Sequence, residues 1–430
     1  YGIGGYFVST HLTRDLEIHA GRHMGLDWEW TYCPWNLAGN WFVEGSEWTE
    51  NDGYWHWETY WQKQKCSFQD YQTAEKYRFI SGNRQAAMFY YILPKDISND
   101  LLAKYPDAHR VNKKGEKSGE SPLYSLPDNK NKTTLSFAYG SELAQFLERK
   151  LRLAVENYEI SGFAFDMTNW SADEYCQAQL KFASGRAFDE QGKVYTSDAL
   201  LAIPFAKYVK SLQRKDKKMA VMMNHALELQ PAQPIFYADA VMFEGNPEAQ
   251  IENFRTLRMF CGQKPLTVWG ALGRGQNSAI NWNLAREPDI YAEVIDGLAN
   301  YLLYNCLRYG VSPMNWTMEY KDREFFTPWL EIIRELKRAG WRIVPALSCD
   351  LEENTLWFGR FGDGKETIFT ITNPGKEKVK TNISIHRKYL NYENYFPKVS
   401  TGQKINCQRK NDLLQFEIEL EAKEIMILRD

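Results

Sequence analysis

The run SGFAFDMTNW, residues 161–170, constrains the fold more than any other part of this sequence. Its apolar residues do not alternate with polar ones, which is typical of a strand that is buried on both faces. Strands of that kind form parallel sheets that helices cover on both sides. In an α/β barrel, the catalytic residues follow the C-terminal ends of such strands. The apolar run ends at Asp166, and we therefore expect this carboxylate to take part in catalysis.

Strand-like and helix-like segments alternate along residues 1–345, and this order predicts a (β/α)8 TIM barrel. The predicted strands are 3–8, 26–35, 85–94, 161–166, 219–227, 238–247, 265–273 and 311–316. The predicted helices are 12–24, 68–82, 141–158, 198–213, 253–262, 290–309 and 325–339. An aromatic loop over 35–66 and a polar insertion over 95–135 interrupt the alternation.

The pattern changes after residue 345. Short segments such as ETIFTITNP and LLQFEIEL alternate apolar with polar residues, and Gly, Asn and Asp separate them. Segments of this kind predict antiparallel strands. We therefore expect residues 346–430 to form a C-terminal antiparallel β-sandwich. A chain of 430 residues also exceeds what one hydrophobic core usually holds, which favours two domains.

Charge and cysteine usage exclude several classes of protein. The net charge is −3 and no basic stripe stands out, so nucleic acid is not an expected partner. No apolar run reaches about 18 residues, so no membrane span is expected. The seven cysteines show no zinc-binding spacing, and we expect free thiols, no metal and no cofactor. The chain opens with YGIGGYFV rather than Met, which fits a periplasmic or secreted protein whose targeting sequence has been removed.

Aromatic residues make up 15% of the chain, including 15 Trp, and many of the Trp residues lie among polar residues. Aromatic planes bind sugars by stacking against the C–H faces of the ring, so this composition favours a carbohydrate site. The loop 35–66 is especially rich in Trp. Some of these indoles are expected to pack on one another and hold the loop, and others to line a site.

Polar residues follow three consecutive predicted strands. Asp166 follows the fourth strand, Asn224 and His225 follow the fifth, and Glu244 follows the sixth. Two carboxylates that face each other across a cleft are what glycoside hydrolysis needs, one to attack the anomeric carbon or activate water and one to protonate the leaving oxygen. Taken singly, Asp166 also fits a helix cap and Glu244 a surface position. Together, in an aromatic-rich barrel, they predict a catalytic pair.

Other polar and aromatic residues near strand ends are predicted to bind substrate. They are Glu29, Trp35, Asn169, Trp170, Asn224, His225, Asn246, Trp269, Arg274 and Trp316. For His225 a structural hydrogen bond is the main alternative, and for Arg274 a role in holding its own loop. Glu29 and Asp27 are weaker candidates, because strand alternation points only one of them inward. Motifs of other chemistries, such as GxSxG, HExxH, a P-loop or GxGxxG after a strand, do not occur.

The motif GFAFDMTNW, the strand-six carboxylate and the C-terminal β-sandwich together resemble the retaining α-glycosidase barrels of the α-galactosidase clan. In those enzymes the strand-four Asp is the nucleophile and the strand-six carboxylate is the acid/base. The resemblance therefore implies that Asp166 is the nucleophile and Glu244 the acid/base. It also implies an α-linked oligosaccharide or polysaccharide substrate and retention of configuration.

Three alternatives remain beside that prediction. The barrel could be an inverting glycosidase, or it could bind a glycan without cleaving it. The C-terminal domain could also be a carbohydrate-binding module, with the barrel acting on a polymer. The separation of the Asp166 and Glu244 carboxyl groups discriminates between the first two and retention, because roughly 5 to 5.5 Å fits retention, roughly 6.5 to 9.5 Å fits inversion, and a far larger distance fits a binder. An open groove instead of a closed pocket would favour the third.

Overall fold

A computed structural model describes much of residues 1–345 and most of residues 346–430. The described residues are 4–8, 28–32, 37–38, 87–98, 104–118, 132–134, 139–157, 161–165, 173–183, 185–224, 233–244, 251–269, 300, 303–315, 327–390, 398–399 and 405–429. The predicted helices 12–24 and 68–82 and most of the aromatic loop 35–66 lie outside these residues.

Each strand predicted before residue 345 has a counterpart among the described residues. These strands are β1 Gly4–Val8, β2 Trp28–Tyr32, β3 Ala87–Ser98, β4 Gly162–Phe165, β5 Ala220–Asn224, β6 Ala240–Glu244, β7 Leu266–Trp269 and β8 Val311–Asn315. Strand β1 pairs in parallel with β8 and with β2. Parallel pairing continues in the order β2, β3, β4, β5 and β6.

Strand β3 is longer than the sequence predicts. The prediction ends it at Pro94, whereas the strand runs to Ser98 because its last three residues pair antiparallel with Lys132–Thr134. The register of its pairing with Leu37–Ala38 shifts between Leu93 and Ile97. Proline cannot donate to a ladder and is tolerated at such irregular positions, which is why Pro94 does not end the strand. The first residues of the predicted insertion therefore belong to β3.

Strand β4 is buried on both faces, as the sequence predicts. The four residues from Gly162 to Phe165 are all buried. A Cβ at Gly162 would collide with the backbone of Ala220 in β5, so only glycine permits this approach of the two strands. The ring of Phe165 stacks on Phe205 with 5.7 Å between the centroids, which packs the strand against the helix Asp198–Ser211. The prediction of a fully buried strand is confirmed.

The described helices follow the predicted alternation. They are α1 Glu142–Asn157, α2 Gln177–Leu180, α3 Asp198–Ser211, α4 Gln233–Tyr237, α5 Ile251–Cys261 and α6 Leu330–Ala339, and residues 303–309 are also helical. The short helices α2 and α4 lie in connections and were not predicted. The 3-10 turns are Pro106–Ala108, Thr327–Trp329, Gly364–Glu366 and Arg387–Tyr389.

Helix α1 shows why these segments are helical. Leu143, Leu147, Leu151 and Val155 recur every four residues and are all buried, so one face of the helix packs inward. The hydroxyl of Ser141 accepts a hydrogen bond from the Ala144 N–H at 3.3 Å and caps the start of the helix. The predicted start at residue 141 is therefore explained by a capping side chain.

The carboxylate of Asp239 fixes β6 beside β5. Its Oδ2 accepts the backbone N–H of Val221 at 2.9 Å, and the Asp239 N–H donates to the Val221 carbonyl at 2.7 Å. Its Oδ1 pairs with the ammonium of Lys210 on α3 at 2.6 Å. One side chain thus connects two strands and a helix just before β6 begins.

The strands after residue 346 form two antiparallel sheets of four strands each among the described residues. They are β9 Leu347–Cys349, β10 Trp357–Phe361, β11 Ile368–Thr372, β12 Val379–His386, β13 Lys398–Val399, β14 Gln408–Lys410, β15 Leu413–Leu420 and β16 Ile425–Arg429. The orders are β9-β12-β15-β14 and β10-β11-β16-β13. Buried residues of both sheets, such as Phe416 of β15 and Phe369 of β11, share one core, which is the packing of a β-sandwich.

Short strand pairs decorate the connections of the parallel region. They are Arg110–Val111 with Lys117–Ser118, Asp173–Glu174 with Val194–Ser197, Ala187–Phe188 with Val194–Ser197, and Gln213–Arg214 with Lys217–Lys218. The described residues fall into two compact units, one of residues 4–245 with 314–319 and one of residues 246–313 with 320–430. The domain boundary at 345/346 stays a prediction.

The described cysteines are free, as predicted. Cys261 and Cys306 are buried, and burial raises the pKa of the Cys261 thiol to about 11 and that of the Cys306 thiol to about 12. Thiols with such pKa values stay protonated near neutral pH and behave as apolar packing groups. In the part of the chain that the structure describes, no helix is both long and apolar enough to cross a membrane.

Replacing Asp239 by Ala should lower the free energy of unfolding by about 1 to 3 kcal/mol, because the Val221 N–H then loses its carboxylate acceptor. Lys210→Met, which removes the half-exposed ion pair and the long Nζ hydrogen bond to the Tyr237 carbonyl at 3.4 Å, should cost less than about 1 kcal/mol. Urea unfolding of both variants measures the difference. Equal losses in the two variants would show that the ion pair, not the bond to Val221, carries the stabilisation.

Candidate active site

The C-terminal ends of β4, β5 and β6 lie at one edge of the parallel sheet. Phe165, the residue before Asp166, pairs with Met223, and Met223 pairs with Val241. Asn224 is the last residue of β5 and pairs with Met242, two residues before Glu244 ends β6. Neighbouring strands are about 4.8 Å apart, so the backbones of β4 and β6 are separated by roughly 10 Å.

The structure gives positions for four of the predicted site residues. Asn224 ends β5 and is 6% exposed. The backbones of Glu244 and Trp269 end β6 and β7. Glu29 is the second residue of β2, three residues before that strand ends, and its backbone pairs with Gly5 and Met88. The other predicted site residues lie outside the described residues; they are Trp35, Asp166, Asn169, Trp170, His225, Asn246, Arg274 and Trp316.

A buried carboxylate joins the connections that follow β3 and β4. Glu174 is fully buried, and its Oε1 accepts the N–H of Val111 at 3.1 Å and that of Cys176 at 2.7 Å. The Tyr175 N–H donates to the Val111 carbonyl at 3.0 Å. Both connections leave the sheet at its C-terminal edge, where the active sites of α/β barrels lie. Glu174 therefore joins the connection after β3 to the connection after β4.

A second contact extends this junction. The side-chain amide of Gln179 on α2 donates to the Asp107 carbonyl at 2.7 Å. Tyr175 stacks on Tyr195 with 5.5 Å between the ring centroids. The insertion that the sequence predicts as a polar surface segment is thus anchored, over residues 105–118, to the connection after β4.

Two carboxylates with shifted pKa values have structural roles. Burial raises the pKa of Glu148 on α1, although Tyr139, Arg152 and Arg149 oppose that shift. Helix α1 precedes β4, so Glu148 does not follow a strand at the C-terminal edge. Burial alone would raise the pKa of Asp189, but the N–H donors of Lys193 and Gln191 and the charge of Lys113 hold it below its usual value.

Sequence reasoning missed Glu174 and Asp239. The segment ADAVMFEGNP does place Asp239 directly before an apolar strand, which is a weak signal for an anchoring residue. Nothing local marks Glu174, because its partner Val111 is 63 residues away along the chain. Within the described ranges, no group of three or more His, Cys, Asp or Glu residues is arranged to hold a metal ion.

No protein-family model matches the chain, and no curated protein matches it. Several solved structures do match the chain in fold. The debranching enzyme of Nostoc punctiforme, from a crystal soaked with acarbose, has a TM-score of 0.55 and 10% identity over 100% of this chain and 98% of that one. An α-amylase from H. orenii has a TM-score of 0.55 and 10% identity, with coverage of 100% and 99%. A GH27 β-L-arabinopyranosidase from Geobacillus stearothermophilus, in complex with arabinose, has a TM-score of 0.55 and 9% identity, with coverage of 100% and 97%.

These similar structures are (β/α)8-barrel glycoside hydrolases with a C-terminal domain. At such low identity the likeness shows the fold. It agrees with the described elements, a parallel sheet with helices followed by antiparallel sheets. Because the neighbours include an amylase and an arabinopyranosidase, the fold does not select one sugar.

Replacing Glu174 by Ala should speed hydrogen exchange of the Val111 and Cys176 amides, because both lose their common acceptor. Each buried N–H left without a partner costs about 1 to 3 kcal/mol. Glu174→Gln keeps an acceptor oxygen and should show a smaller change. Exchange followed by mass spectrometry, with exposed Glu190→Ala as the control, measures this. Unchanged protection of residues 105–118 in Glu174→Ala would show that other contacts hold the junction.

Proposed function

We propose that this chain is a glycoside hydrolase that cleaves an α-linked sugar with retention, using Asp166 as nucleophile and Glu244 as acid/base. The pairing of Phe165, Met223 and Val241 is the observation that carries the proposal. It supports a shared edge for the residues that follow these strands. The fold likeness to glycoside hydrolases supports the same class of reaction.

We also propose that β1 to β8 close into a (β/α)8 barrel over residues 1–345, with a separate β-sandwich over 346–430. The continuous parallel order from β8 through β1 to β6 supports closure. So does the bond from the Thr267 hydroxyl on β7 to the Ser312 carbonyl on β8, at 3.1 Å. Closure brings the strand ends together around one cleft.

The reaction follows from two carboxyl groups on β4 and β6. In the first step, the Asp166 carboxylate attacks the anomeric carbon while Glu244 gives its proton to the departing glycosidic oxygen. The bond to the leaving group breaks, and a glycosyl ester forms on Asp166. In the second step, the Glu244 carboxylate removes a proton from water, the water attacks the anomeric carbon, and the ester bond breaks. Two inversions give net retention.

The remaining predicted residues have supporting roles in this proposal. Asn224, buried at the end of β5 between the two carboxylate strands, suits a hydrogen bond to a sugar hydroxyl. His225, Asn169, Asn246, Arg274 and Glu29 are further polar candidates. Trp35, Trp170, Trp269 and Trp316 are the aromatic candidates for stacking on sugar rings. The substrate is proposed to be an oligosaccharide or polysaccharide.

Asp166→Asn should lower kcat on an aryl α-glycoside by about 1,000-fold or more, because the amide keeps the volume but loses the nucleophile. The assay is a panel of aryl α- and β-glycosides. Exposed Asp173→Asn, in the same connection, is the matched control and should keep full activity. Wild-type kcat in Asp166→Asn would rule out the proposed nucleophile.

Product stereochemistry tests retention directly. In Asp166→Gly, azide should restore turnover of the aryl α-glycoside and give the β-configured glycosyl azide, because the anion enters from the vacated face.

Glu244→Gln should lose activity most on poor leaving groups and least on dinitrophenyl glycosides, because a dinitrophenolate departs without a proton. Inverted sugar as the first wild-type product, seen by proton NMR, would replace retention by inversion. Wild-type protein that binds glycosides without cleaving any member would indicate a glycan-binding barrel.

A further inference from the structure

A cavity of about 340 Å³ lies in the unit of residues 246–313 with 320–430, and its described lining contains none of the predicted site residues. Helix α5, strands β9 and β10 and the residues around Trp341 form its walls. Pockets that bind small molecules usually measure about 300 to 1,000 Å³, so this cavity has room for a ligand of roughly one sugar ring. We call it the arginine cavity.

The lining of the arginine cavity carries a surplus of positive charge. Its walls contain four arginines and two glutamates. The arginines are Arg255, Arg308, Arg342 and Arg360. Arg342 is already paired with Asp363, and Arg308 lies over the rings of Tyr309 and Trp357, at 5.1 and 5.0 Å from their centroids. These contacts fix the guanidinium groups in place, which lowers the entropy cost of binding an anion.

Arg360 is the residue that points most clearly to a ligand. It is 7% exposed, its Nη1 donates to the Tyr389 carbonyl at 3.1 Å, and its Nε has no hydrogen-bond partner among the described residues. A buried donor without a partner costs free energy, and for a charged group the cost is larger. Burial lowers the pKa of Arg360; the carboxylate of Asp363 opposes that shift, and the nearby charge of Arg342 adds to it. An anion bound against the Arg360 guanidinium would offset the cost of burying its charge.

The same walls offer groups that suit hydroxyls. Glu352 and Glu353 are carboxylate acceptors, and Ser348 and Asn354 can both donate and accept. A simple anion would use the arginines and leave these groups without a role. A ligand that has both an acid group and several hydroxyls would contact the arginines and these hydroxyl-binding groups together.

We propose that the arginine cavity binds an acidic sugar, with its carboxylate or sulfate group on Arg360 and its hydroxyls on Glu352 and Ser348. The site is separate from the proposed catalytic pair. It does not depend on which glycoside the barrel cleaves.

Titration calorimetry of the full chain tests the proposal with four probes: glucuronate, glucose 6-sulfate, glucose and inorganic sulfate. At least one acidic sugar should bind at least tenfold more tightly than glucose and than inorganic sulfate. Glucuronate and glucose 6-sulfate distinguish a carboxylate from a sulfate ester as the preferred group. Absence of binding by both acidic sugars, or equal binding of glucose or of inorganic sulfate, would overturn the proposal.

Two variants assign the binding to this cavity. Arg360→Gln removes the charge, and Ser348→Phe fills the cavity from an exposed position while keeping every arginine. Each should weaken binding of the acidic sugar at least tenfold. Arg338→Gln, an exposed arginine of α6 outside the cavity, is the charge-matched control and should bind as wild type. Should Arg360→Gln fail to fold, Ser348→Phe alone decides, and wild-type affinity in Ser348→Phe would overturn the assignment.

Discussion

The complete burial of β4 is the constraint on which the rest of the parallel region depends. A strand with no exposed face needs a hydrogen-bonded neighbour on each edge and a covering layer on each side. Strands β3 and β5 supply the edges, and α3 supplies part of the cover through Phe205. Gly162 permits the close approach to β5. Because the strand has neighbours on both edges and cover from α3, the position of its last residue, Phe165, is fixed by its contacts.

The periodic elements could be predicted from the sequence because their signals are local. The apolar run of β4, the four-residue spacing of α1 and the alternation of β15 each fit within one segment of chain. The end of β3 could not be predicted in this way. It depends on pairing with Lys132–Thr134, which lies beyond a long polar stretch, and Pro94 suggested an earlier end.

The residues of the candidate site also differ in whether a local sequence signal marks them. Residues at strand ends, such as Asn224 and Glu244, could be proposed because a strand followed by a polar side chain is readable in sequence. The residues that hold the surroundings could not. Asp239 acts on Val221 across 18 residues and Glu174 on Val111 across 63, and each contact exists only once the fold has brought distant segments together. A carboxylate in a polar segment gives no sign of whether it will bind backbone or substrate.

The junction at Glu174 has a consequence for how this fold can change. The connections after β3 and β4 share one buried acceptor, so a change of backbone path in either one alters the bond between the Val111 N–H and the Glu174 carboxylate. The two connections are therefore coupled structurally, even though strand β4 and helix α1 separate them along the chain. Grafting a new specificity onto this edge of the sheet would therefore require both connections to be transferred together, although they are not contiguous in the sequence.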